Sequence, residues 1–119
     1  MQLQEIMKIV DGKVVAGKEH LDHDIDEIFA ADLMSDVLAF TTPGSVLLTG
    51  LTNVQSVVTA HVAEVKAIIY VRGKKPGRDA IKLAEQKGIP LLTSPLSMFT
   101  ACGRLFEKGL RSENDLVQP

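Results

Sequence analysis

The strongest pattern along the chain is a threefold succession of apolar run, short turn and amphipathic stretch, beginning at Ser45. Val46-Leu47-Leu48 predicts one strand. Ala67-Ile68-Ile69-Tyr70-Val71 predicts a second, and its unbroken apolarity suits a strand buried on both faces. Leu91 and Leu92 predict a third. Between the first two, Val54, Val57, Val58, His61, Val62 and Val65 recur at i, i+3, i+4, i+7 spacing, which predicts a helix with that stripe turned inward. Between the second and third, Ala80, Ile81, Leu83 and Ala84 mark the inward side of another helix, with Lys82, Glu85 and Gln86 outward and Gly88 as its stop. Ser94 as cap and Pro95 at the first helical position predict a last helix that buries Met98, Phe99, Cys102, Leu105 and Phe106.

The first forty residues are less regular. Leu3, Ile6, Met7 and Val10 stand at helical spacing, and Asp11-Gly12 ends that helix. Val14 and Val15 predict a short strand up to Gly17, and Lys18 to Asp24 reads as a polar loop. Ile25 to Ala31 gives an imperfect strand pattern, and Asp32 is placed to cap a short helix over Leu33 to Phe40 before Thr42-Pro43-Gly44 breaks the chain.

Thr49-Gly50 and Arg72-Gly73 lie 23 residues apart, and Thr93-Ser94 follows 21 after Arg72. Each pair stands at a strand end before a helix, so the chain reads as consecutive βα units with right-handed crossovers and parallel strands. The fold class is α/β: a small, mostly parallel sheet with flanking helices. Parallel strands end on one edge, which is where open α/β sheets take ligands. The candidate ligand-binding residues are therefore Thr49, Gly50, Asn53, Arg72, Gly73, Lys74, Thr93 and Ser94. Glycines admit a ligand close to the backbone, helix N-termini offer free N–H groups, and Arg72, Lys74, Lys75 and Arg78 cluster four cations nearby. That chemistry suits an anion such as a phosphate or nucleotide. Gly73-Lys74-Lys75-Pro76-Gly77 is not a phosphate-loop motif, and no G-x-G-x-x-G occurs.

Composition narrows the picture. The 119 residues suit one domain over residues 1–110 with a polar tail over 111–119. With no Trp, one Tyr and four Phe, the core must be aliphatic. A net charge of −2 excludes a chain built to neutralise a nucleic-acid backbone. No apolar run approaches the ~20 residues that cross a bilayer, and the N-terminus lacks the zones of a signal peptide. A single cysteine suits a reducing compartment, so the expected location is cytoplasmic. Cys102 reads as a small core residue on its helix, since nothing near it in sequence clearly supplies an electropositive, accessible setting and a base. His20 and His23, among Asp22, Asp24 and Asp26, read as a solvated acidic loop and not as a metal site. No pair of residues at suggestive spacing supplies acid–base catalysis, so neither an enzyme nor a cofactor is expected. Seven acids and no Lys or Arg fall between Glu19 and Asp36, opposite in sign to the Arg72–Arg78 turn; two such faces could pair between protomers or attract a partner.

Four segments together carry a family likeness: the N-terminal helix leading into Asp11-Gly12-Lys13-Val14-Val15-Ala16-Gly17, then Ala31-Asp32-Leu33-Met34-Ser35-Asp36, then Leu48 to Gln55, and finally Ala67 to Pro76 continuing through Leu83-Ala84-Glu85 to Gly88-Ile89-Pro90-Leu91-Leu92-Thr93-Ser94. Over about residues 2–108 this order resembles the DRTGG domain family, and it is similar to the N-terminal, non-catalytic domain of HPr kinase/phosphorylase. The resemblance implies a regulatory or protein-interaction domain without activity of its own, often at a homodimer contact, acting by binding to an enzyme or complex. Relatives accompany CBS domains in some pyrophosphatases and also occur in phosphotransacetylases. The alternative is a sensor that binds an adenine nucleotide or another phosphorylated metabolite at the strand edge. Leu51-Thr52 departs from the family's Asp-Arg after Thr49-Gly50, removing a charged pair from that turn.

Overall fold

The apolar runs pair side by side in a five-stranded sheet, as the computed structural model shows for residues 1–112. Residues 113–119 of the expected polar tail lie outside the described residues. In chain order the elements are α1 (Leu3–Ile9), β1 (Lys13–Ala16), a 3₁₀ turn (Lys18–His20), β2 (Ile28–Ala30), α2 (Met34–Phe40), β3 (Val46–Thr49), α3 (Val54–Val62), β4 (Ala67–Tyr70), α4 (Arg78–Lys87), β5 (Leu91–Thr93) and α5 (Met98–Glu107). The strand order is β1-β5-β4-β3-β2. Strands β2 to β5 are parallel, and β1 joins β5 antiparallel with an irregularity between Val14 and Ala16. The mostly parallel α/β architecture follows from the βα succession.

Alternation along the strands divides the core into two layers. Leu47, Ile68, Tyr70 and Leu91 pack with Val37, Val57, Ala60, Ala80 and Ala84, which come from α2, α3 and α4. Val46, Leu48, Ile69 and Leu92 pack on the other face with Leu3, Ile6, Ala101 and Leu105 from α1 and α5. Right-handed crossovers between successive parallel strands put α2, α3 and α4 on one face, running in the same direction, with α3 packed against both neighbours. Gly17 shapes the junction after β1: its φ is +76° and a Cβ there would stand 2.6 Å from Pro90 Cα, so no larger residue fits.

Four local expectations are corrected. Four of the six residues expected to face inward along α3 face solvent: Val54, Val58, His61 and Val62 are exposed, while Val57 and Val65 are buried as expected, together with Ser56, Thr59 and Ala60. The reason is Tyr70, whose ring is fully buried and whose hydroxyl stands 2.8 Å from Ser56 Oγ. A buried phenol needs a partner, so the helix turns its small polar residues toward it. On α5, Ala101 and Leu105 are buried while Phe99 and Phe106 are exposed, because α1 covers only one side of that helix. That helix also starts later than expected: Ser97, not Ser94, accepts the capping bond from the Thr100 amide at 3.2 Å. Asp32 makes no cap on α2, whose N-cap is Leu33 without a side-chain bond; its carboxylate is used elsewhere.

Candidate functional site

The C-terminal ends of β2 to β5 bring Asp32, Thr49-Gly50, Arg72-Gly73 and Thr93-Ser94 to one edge of the sheet, with Asp11 and Lys13 added where antiparallel β1 begins. At the β3–α3 turn, the Gly50 amide donates to Asp32 Oδ1 at 2.7 Å, and the Thr49 hydroxyl donates to the same oxygen at 3.3 Å. The Leu51 amide in turn donates to Thr49 Oγ1 at 3.2 Å. The turn thus holds an internal anion: the carboxylate occupies the donors that a free phosphate would use.

The β4–α4 turn is built differently. Arg72 and Gly73 are both left-handed, with φ of 61° and 68°. Such a conformation costs a non-glycine residue on the order of 1–2 kcal/mol, and Arg72 adopts it because the loop after β5 holds it there. The Arg72 amide donates to Leu96 O at 2.7 Å, and the Gly73 amide to Ser94 O at 2.8 Å. Both amides are engaged with the chain, while the side chains of Arg72, Lys74 and Lys75 remain exposed.

Ser94 is buried; its hydroxyl donates to Val10 O at 2.6 Å and accepts from the Leu96 amide at 3.2 Å. It locks the end of β5 to the end of α1 instead of capping a helix. Thr93 and Gly73 join Asp11, Lys13, Lys75, Ser94 and Pro95 around a shallow cavity of about 210 Å³.

What remains open on this edge lies one step further along, at the helix starts. Thr52, Asn53, Val54, Gly77, Arg78, Asp79 and Ala80 line a cleft of about 320 Å³ between the N-termini of α3 and α4. Asn53 makes no side-chain capping bond and Gly77 has no side chain to make one, so both helix starts beside the cleft lack a side-chain cap. Their partial positive charge adds to Arg78 on the rim. Of the eight residues expected from sequence, Asn53 lines this cleft, Gly73, Thr93 and Ser94 line the smaller cavity, Thr49 and Gly50 form the Asp32 clasp, and Arg72 and Lys74 are exposed and line neither opening. Gly77 and Arg78 gain a place at the cleft. The signal for them was Pro76-Gly77 immediately before an amphipathic run.

Other candidate chemistry is separate from this edge. Burial pushes the Cys102 thiol pKa up, so it stays protonated near neutral pH. His20 and His23 have ring centroids 4.9 Å apart, and His20 Nε2 lies 3.5 Å from Glu19. Among the described residues no group of three or more His, Cys, Asp or Glu is placed to hold a metal ion. Among the same residues no helix is long and apolar enough to cross a membrane.

A mixed sheet of parallel βα units, with helix starts gathered on one edge, defines a small α/β domain. The chain belongs to the DRTGG domain family, whose model matches residues 5–107. Among solved structures it is similar to that of the CBS and DRTGG domains of the regulatory region of Clostridium perfringens pyrophosphatase, complexed with the activator diadenosine tetraphosphate. The TM-score is 0.71 at 18% identity, over 87% of this chain and 45% of the other. This chain therefore spans less than half the length of that neighbour. No curated protein matches it in sequence.

Proposed function

We propose that this chain is a non-catalytic regulatory module that acts on an enzyme or complex through binding, and that its strand C-terminal edge takes a phosphorylated ligand such as an adenine nucleotide. The observation that carries the reading is the cleft between the starts of α3 and α4, lined by Asn53, Gly77 and Arg78 together with Asp79. Two helix N-termini and Arg78 around one opening favour an anionic ligand over the single opposing charge of Asp79. The structural likeness to a regulatory region complexed with diadenosine tetraphosphate supports the same chemistry. In this reading Asn53 and Gly77 present amides, Arg72, Lys74 and Arg78 neutralise charge, and Gly50, Gly73, Thr49, Thr93 and Ser94 hold the turns in place. The module works as a homodimer in the cytoplasm, as one domain over residues 1–110.

Thermal melts against adenine mononucleotides, dinucleoside polyphosphates and inorganic pyrophosphate test this. A ligand at a hundred times its dissociation constant should stabilise the fold by ~2.7 kcal/mol. Arg78→Ala combined with Arg72→Ala and Lys74→Ala should remove the shift. A melt that no phosphorylated compound moves would sink the ligand assignment.

A further inference from the structure

We propose that the cavity where β1 meets β5 is a second anion subsite, and that this edge binds a chain of three or more phosphates laid across the β4–α4 loop from the cleft into that cavity. The inference rests on the phosphorylated-ligand reading above, and adds to it the length of the anion and the side chains that hold its far end. β1 is the antiparallel strand, so its first residue, not its last, comes to the edge where the parallel strands end. That residue is Lys13, which pairs directly with Thr93 at the end of β5, and both line the cavity. Gly12 permits the approach of the two segments: a Cβ there would stand 3.1 Å from Thr93 O and 3.2 Å from Met7 O. Lys75 reaches the same cavity on the β4–α4 loop, where the Gly73 amide is fixed to Ser94 O at 2.8 Å.

The charges that line the cavity favour an anion. Lys13 and Lys75 are both exposed, and neither forms an ion pair among the described residues. The one acid in the lining is Asp11, and its Oδ2 lies 3.1 Å from Arg104 Nη1, so its charge is met by a cation outside the cavity. In the neighbouring cleft Arg78 is opposed by Asp79, and the loop between the openings adds exposed Arg72 and Lys74. The two openings are also close together. Lys75 lines one and Gly77 the other, and a separation of two residues keeps their Cα atoms within about 7 Å. A single phosphate fills one opening at a time; a longer chain reaches both. At Gly77 the backbone has an ordinary φ of −77°, and a Cβ would meet nothing within 4 Å, so packing does not require glycine there. Its missing side chain leaves the backbone open to a ligand passing from one opening to the other.

Titration calorimetry of the full chain with pyrophosphate and with tripolyphosphate is the test. Tripolyphosphate should bind at least about tenfold tighter than pyrophosphate, because one molecule fills two subsites. Lys13→Ala with Lys75→Ala should abolish that preference while pyrophosphate still binds, and both side chains are exposed, so the fold should be retained. Lys82→Ala with Lys87→Ala removes the same charge from α4 outside both openings and should leave the preference unchanged. Binding of neither anion overturns the phosphorylated-ligand reading and this subsite together. Equal affinity for the two anions in the wild type overturns the subsite alone, as does a preference that survives Lys13→Ala with Lys75→Ala. A preference lost equally in the Lys82 and Lys87 variant would reduce it to net charge and overturn the subsite as well.

Discussion

α3 and α4 follow the same kind of buried strand onto the same face of the sheet, yet they treat their apolar residues in opposite ways. α4 buries Ala80 and Ala84, partly buries Ile81 and Leu83, and shows Lys82, Glu85 and Gln86 to solvent. α3 buries Ser56, Thr59, Val57 and Ala60 and shows three valines. The difference begins one strand away. α4 sets Ala80 and Ala84 into the layer that holds Ala16, Ile89 and Leu91, and its buried residues have no polar atom to satisfy, so apolar area removed from water decides its rotation. α3 packs over Tyr70, whose hydroxyl must be bonded in a dry core. Ser56 Oγ also lies 2.7 Å from Asn53 O, where it donates, so the phenol is the donor in the Tyr70–Ser56 pair. One buried polar atom thus outweighs a stripe of valines.

The sharpest way to break the comparison is to place the same charge on both helices. Ala84→Asp puts a carboxylate into the closed side of α4 and should cost about 3–5 kcal/mol by urea denaturation, the scale of an uncompensated buried charge. Tyr70→Phe and Ser56→Ala should each cost about 1 kcal/mol, the net value of one buried hydrogen bond, and the double variant should cost less than the sum of the two. The Tyr70 variant also has a pH signature. Burial raises the phenol pKa above its ordinary value. The contribution is fully present below the unfolded value and is lost as pH rises from there toward the folded value, because the unfolded chain releases its proton first. Wild type should therefore lose stability above about pH 10 more steeply than Tyr70→Phe, as read from melts across the alkaline range.

Smaller effects sharpen the comparison at the helix starts. Asp32→Ala removes the carboxylate from the Gly50 amide and Thr49 hydroxyl, and should cost about 1 kcal/mol of stability. It should also increase pyrophosphate affinity at this edge by freeing those donors, measurable by calorimetry. Equal affinity in both proteins would show that the ligand does not reach the β3–α3 turn. The smallest effect belongs to Val58→Asp, which should change protomer stability by less than about 0.5 kcal/mol at concentrations too low for association. A large loss there would place that valine in the core after all.

The succession of βα units was legible because strands covered on both faces leave runs such as Ala67 to Val71 that no amphipathic helix produces. The short β2 was only half legible, since Asp26 and Glu27 interrupt the run before it. The rotation of α3 was not legible, because periodicity reports that apolar residues share a side without saying which side the sheet occupies. At the edge, the place was readable from turn spacing, but the use of each atom was not. Ser94 bonds to a carbonyl 84 residues away, and Asp32 reaches an amide 18 residues on. Bonds of that span depend on how the whole chain is assembled. A serine before a proline looks the same whether it caps a helix or pins two distant segments.

That long Ser94 bond belongs to a junction that sets an order on assembly. β1 pairs only with β5, at the sheet end opposite β2. As the chain leaves the ribosome, α1 and β1 emerge before β2 to β5 and find no partner strand to join. At about 5–20 residues per second, roughly 4–16 s pass before the strand that receives β1 has been made. The βα units from β2 onward can meet in the order of synthesis, each with a neighbour already present. The N-terminal segment docks once β5 is present, when Ser94 fastens it in place.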